Sequence, residues 1–235
     1  MTHTRNKGFS LIEMMIVMAI LVIISATIFK VVETTMQRAS AEQNKLDMTQ
    51  EAREFMDQMS RDLRQAGYPN PRNFDPDVLT VSPTANDARV AVGLVKVAAN
   101  ELWFEGDIDG TGVVSVVHYY LDPSTTNYCP CLKRSQLPKI NGDPLTGQTA
   151  PSYQVEVQGV TNTDIFSAKF NGADVTLPVD FSNSTIGDID TVEATLSLES
   201  PQIDAKTRKK LVTSQVITVR LNNCSLSTGS SQSCS

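Results

Sequence analysis

From Phe9 to Ala66 the chain holds neither glycine nor proline, the two residues that interrupt helices most readily. Those 58 residues can therefore run as one helix, about 87 Å long at 1.5 Å per residue. Residues 9–29 contain 17 apolar side chains and span about 30 Å, the thickness of a bilayer's hydrocarbon layer. The exceptions are Ser10, Glu13, Ser25 and Thr27. Serine and threonine can bond back to their own helix. An ionised carboxylate at the centre of a membrane helix costs about 2.5–3.5 kcal/mol, and less toward an end. Glu13 thus calls either for solvation at the headgroups or for a positive charge on another chain.

Residues 1–8, MTHTRNKG, form a short polar segment with Arg5, Lys7 and no acid. A basic stretch ahead of an apolar run is held on the cytoplasmic side. The residues after Phe29 are Lys30-Val31-Val32-Glu33, which lack the small-residue pattern of a Sec-type cleavage site.

Beyond the apolar run the chain turns polar but stays helical in pattern. Met48, Ala52, Phe55, Met56, Met59, Leu63 and Ala66 recur at helical spacing and form one apolar stripe. Residues 30–47 are more polar throughout and read as a stalk. Gly67 is expected to cap the helix and Pro69 to prevent its continuation.

All eleven prolines and all four cysteines lie beyond this point. The period there changes to that of strands. Residues 100–106 and 113–121 read as a hairpin across Asp107–Gly112. Residues 153–160 and 165–170 are shorter candidates. Residues 191–199 alternate cleanly, 211–221 are rich in Val, Ile and Thr, and the two are expected to pair antiparallel. The expected fold is α+β: a long N-terminal helix, membrane-spanning in its first half, packed by its second half on an antiparallel β-sheet domain. The divisions are a leader at 1–8, a membrane segment at 9–29, the outer helix at 30–67 and a β-rich domain at 68–235.

The net charge is −6, and −8 without Arg5 and Lys7, which argues against general nucleic-acid binding. Asp107 and Asp109 share the spacing of calcium loops. Thr111 and His118 occupy loop positions 5 and 12, and position 12 of an EF-hand needs Glu, so a tight turn is expected, with calcium as the alternative. Cys129, Cys131, Cys224 and Cys234 allow three pairings. Cys224 with Cys234 would close a loop of nine intervening residues. A Cys129–Cys131 bridge would be short, and bridging to the C-terminal pair is the alternative; zinc is the other reading of C-x-C. Lys206, Arg208, Lys209 and Lys210 form a basic cluster between the last two strands, read as a solvated tip or as a contact for an acidic neighbour, DNA or a surface. No phosphate loop, zinc-protease helix or nucleophile elbow is present. His118 is expected to be structural or exposed, and neither enzymatic activity nor a cofactor is expected.

Lys7-Gly8-Phe9-Ser10-Leu11-Ile12-Glu13 resembles the leader and cleavage site of type IV prepilins and type II secretion pseudoprepilins. Arg61-Asp62-Leu63-Arg64-Gln65-Ala66-Gly67-Tyr68 resembles the end of the long helix in PilW-type minor pilins. The resemblance implies cleavage between Gly8 and Phe9 by a prepilin peptidase and N-methylation of Phe9 by the same enzyme. It implies that Glu13 pairs with the Phe9 amine of a neighbouring subunit. The implied partners are other major and minor pilins and an inner-membrane assembly platform. The implied place is the bacterial inner membrane, crossed once, with the C-terminal domain outside the cytoplasm, where disulfides persist. A Cys224–Cys234 loop would resemble the C-terminal disulfide loop of many type IV pilins. One departure is Lys30, at a position where many major type IVa pilins carry proline. The expected role is a minor pilin that primes assembly or sits near the filament tip. The close alternative is a J-type minor pseudopilin of a type II secretion system. Alternatives of another class are a signal-anchored binding domain or enzyme, and an adhesin using the irregular 122–152 stretch.

Overall fold

The computed structural model describes residues 8, 10–69, 74–126, 129–203 and 207–222. Phe9, Lys206, Cys224 and Cys234 lie outside them. Helix α1 runs without interruption over Leu11–Arg64, 54 residues and about 81 Å. It passes straight through Lys30, where the Thr34 hydroxyl donates to the Lys30 and Val31 carbonyls at 3.0 and 2.9 Å. Residues 11–43 are exposed apart from half-buried Ser25 and Ala41. Burial begins at Met48, and Ala52, Phe55, Met56, Met59, Leu63 and Ala66 follow as the expected stripe.

The helix ends two residues before the expected Ala66. Gln65 is the C-cap, and Ala66 pairs as a β-bridge with Gly106 instead. Two further bonds stitch the exit: Gly67 N–H donates to Glu105 O, and Asp107 N–H to Tyr68 O, each at 2.8 Å. A Cβ at Gly106 would stand 2.3 Å from the Gln65 carbonyl oxygen, so only glycine admits this approach.

Two antiparallel sheets follow, rather than one. The first contains β1 (Leu94–Ala98), β2 (Glu101–Gly106), β3 (Ser115–Asp122), β4 (Cys131–Pro138), β5 (Gln154–Gln158) and β8 (Val179–Asp180), in the order β5-β4-β3-β2-β1-β8. The second contains β6 (Phe166–Phe170), β7 (Ala173–Asp174), β9 (Thr191–Ile203) and β10 (Lys210–Arg220), in the order β10-β9-β6-β7. The expected hairpin is β2–β3, with Trp103 opposite His118. The expected final pair is β9–β10, with Ile217 opposite Ala194. The outer half of α1 lies against β10, β9 and β5.

The 122–152 stretch is not irregular throughout, because it holds β4. Its sequence, CLKRSQLP, hides the strand by placing Arg134 on the inner face. That face is set by register, with Leu132 opposite Leu121 and Arg134 opposite buried Tyr119.

Arg134 enters the helix–sheet seam to meet Asp62, the charged member of the buried helix face. Its Nη2 and Nε donate to Asp62 Oδ2 at 2.8 and 3.1 Å. The Tyr119 hydroxyl donates to the same oxygen at 2.8 Å, and burial followed by the Asp62 charge pushes its acidity far from neutral pH. Phe55 packs edge-on against Tyr119 with ring centroids 5.7 Å apart. Removing one member of a buried charged pair strands the other. Asp62→Ala is expected to destabilise the full chain in detergent by about 3–5 kcal/mol, measured by denaturant unfolding. Asp62→Asn, which keeps an acceptor, is expected to lose less.

Candidate functional site

The apolar half of α1 is the candidate assembly segment. Leu11 is 78% exposed and Phe29 74%, with mean hydropathy 2.7 over the strongest 18-residue window. A helix apolar on all sides and covered on none suits a bilayer or a bundle of like helices. The helix opens at Ser10, whose backbone is extended (φ −75°, ψ 144°) and whose side chain makes no capping bond. The Ser10 carbonyl accepts from Glu13 and Met14 N–H at 3.0 and 3.2 Å.

Glu13 therefore stands in the first turn, exposed. Unpaired N–H groups make that end of a helix positive, which favours a carboxylate there by about 0.3–1 kcal/mol. Gly8 is exposed and open, with nothing within 4 Å of where a Cβ would stand. The segment thus offers one carboxylate and one small residue before an uncovered apolar rod.

The other candidate residues serve the domain itself. Cys129 and Cys131 are joined as a disulfide, so neither the bridge to the C-terminal cysteines nor a zinc-binding C-x-C forms here. Asp122 lies beside them but is engaged by Lys133 at 2.5 Å and by Ser124 N–H at 2.9 Å. Those bonds, Lys133 first, hold its carboxyl at about 2. Asp107 accepts from Thr111 and Gly112 N–H at 3.1 and 3.0 Å, and Asp109 accepts from the Thr111 hydroxyl at 2.7 Å. Both carboxylates close the expected turn between β2 and β3. Buried Lys139 donates to Ala85 O, Val90 O and Glu105 Oε2 at 2.8, 2.7 and 2.7 Å, three acceptors for the three protons of an ammonium.

One constellation was not legible beforehand. His118 Nε2 meets Glu101 Oε1 at 2.5 Å, and the Tyr153 hydroxyl meets its Nδ1 at 2.7 Å. Trp103 stacks on the ring at 5.1 Å. Lys96 pairs with the second Glu101 oxygen. Residues 101, 118 and 153 carry no motif, and only the strand register brings them together. The His118 side chain is 8% exposed, so the chain of contacts fastens β1, β2, β3 and the approach to β5.

The His118 bond, helped by Lys96, holds the Glu101 carboxyl at about 2. A carboxyl lowered in the folded state contributes stability above its unfolded value, near 4.3, and loses it as pH falls toward 2. Acid unfolding of wild type is therefore expected to steepen from about pH 4.5 toward 2, and Glu101→Gln is expected to lose that share of the pH dependence. Thermal unfolding across pH 2–7 measures it.

Residues 3–29 match the family model of the prokaryotic N-terminal methylation motif. No curated protein and no solved structure matches the chain. The motif, the 54-residue helix that begins within it and the antiparallel β domain support a type IV prepilin-like protein, similar to pilins and pseudopilins. The motif implies processing by a prepilin peptidase and assembly with other pilins, and with the apolar helix it fits an inner-membrane anchor.

Proposed function

We propose that the chain is a minor pilin of a type IV pilus, of the PilW type, that primes assembly or sits near the filament tip. It works by packing and one membrane charge, without bond chemistry of its own. The observation that carries this reading is Glu13, a lone acid in the first turn of an exposed apolar helix whose first part lies within the matched methylation motif.

Prepilin peptidase cuts between Gly8 and Phe9 and methylates the new amine. Before assembly the helix is held in the inner membrane, with the β domain on the extracytoplasmic side. An α-amino group has a pKa near 7.7–8 and is largely protonated at neutral pH. The amine of one subunit then meets Glu13 of another. In an apolar core each charge is costly alone, so the pair selects the axial register at which the two coincide.

Intact mass and N-terminal sequencing of protein from its native membranes should give a chain beginning at methylated Phe9. A chain still beginning at Met1 in cells with active prepilin peptidase rejects the proposal. Glu13→Ala is expected to leave domain stability within about 0.5 kcal/mol of wild type, as for surface substitutions generally. The same variant should reduce recovery in sheared filament fractions at least about tenfold, equivalent to about 1.4 kcal/mol of lost register selection. Unchanged recovery would remove Glu13 from the mechanism.

A further inference from the structure

At the connected end of the β9–β10 pair, exposed basic residues and an exposed apolar side chain meet beside the emerging helix. Arg208 and Lys209 are exposed and form no ion pair with a described residue. Lys210 is held at 2.5 Å by Glu199. Ile203, opposite Lys210 in the register, is 63% exposed.

The position of this end follows from its neighbours. Lys210 and Pro201 line a cleft of about 810 Å³ together with Asn44, Asp47 and Met48. Met48 is the first buried residue of α1, so this is where the helix leaves the domain toward its apolar half. Strand β10 lies against α1, and its opposite end carries buried Val219. The Lys210 end is therefore the one that leaves the core on the side facing the apolar segment.

The distances are short. Asn44 is 14 residues beyond Lys30, about 21 Å along the helix. Arg208 stands two residues before Lys210 in the turn that joins the strands, with a left-handed backbone (φ 53°), and so within about 7 Å of it. The headgroup layer rises about 5–8 Å above the hydrocarbon edge. A long arginine or lysine side chain spans most of the remainder, inside a Debye length of about 8–10 Å.

We propose that Ile203, Arg208 and Lys209 form a membrane-surface contact, with anionic phospholipid headgroups as its ligand, used while the subunit stands in the bilayer. Basic side chains beside an apolar one match an anionic interface with hydrocarbon below it. Glu199 is taken by Lys210, Asp47 and Glu51 lie across the cleft on the helix, and the connection's own acid, Asp204, is outnumbered in the sequence by Lys206, Arg208 and Lys209. The contact would limit how the domain leans on its stalk, and it would be broken when the subunit is drawn into a filament. The proposal rests on α1 being the membrane anchor.

The test uses the full chain in nanodiscs of phosphatidylcholine alone or with 30% phosphatidylglycerol, followed by brief amine acetylation and mass spectrometry. Lys209 should label about fivefold or more slowly in the anionic discs than in the neutral ones. That protection should disappear at 0.5 M NaCl and in R208E, while Lys169 in β6 labels equally throughout. Equal labelling of Lys209 in both discs overturns the proposal. So does equal protection in both, which means cover by protein, and so does protection that appears only when other pilin subunits are added, which assigns the patch to an acidic partner. A chain that fails to enter the discs overturns the anchor reading as well.

Discussion

The Asp62 carboxylate decides how the helix sits on the domain. One of its oxygens takes the Tyr119 hydroxyl at 2.8 Å and the Arg134 guanidinium at 2.8 and 3.1 Å. Apolar contacts around it, from Met48 to Leu63, supply most of the attraction, but they are tolerant of sliding. A buried carboxylate is not tolerant, because any shift by a turn leaves it without partners. The backbone stitch of Ala66, Gly67 and Tyr68 to the end of β2 then fixes the same register a second time. Everything that the exposed half of α1 does to its surroundings reaches the β domain through this seam.

What could be read from the amino acids divides along physical lines. The helix was legible because 58 residues without a breaker leave few alternatives, and its buried stripe because apolar side chains follow the helical period. Strands β2, β3, β9 and β10 were legible because their patterns agree with strand packing. Strand β4 was not, since Arg134 occupies an inward position that alternation assigns to an apolar residue. Its reason for being there is Asp62, 72 residues away, and a pattern read locally carries no such information. The division into two sheets was hidden for the same reason: strand order is decided by long-range pairing.

The candidate site divides likewise. Gly8 and Glu13 stand in a local motif matched over residues 3–29, so the resemblance of a short stretch of sequence singled them out. The disulfide between Cys129 and Cys131 is a choice among pairings that spacing leaves open. The Glu101–His118–Tyr153 contacts depend on register across β2 and β3 and on the return of the chain before β5, which no window of sequence contains.

The unbroken helix has a mechanical consequence. Residues 30–43 carry the domain on a single rod with almost no lateral packing, because Ala41 alone is partly covered there. Tension applied to the β domain must pass into the anchor along this rod. It enters through contacts spread from Met48 to Leu63, arranged along the pulling axis. Such a seam is loaded in shear, so its side chains share the force together, whereas a seam pulled open from one end would yield residue by residue. Proline at position 30 would place a joint between domain and anchor; lysine there leaves the load path rigid from the first turn to the last.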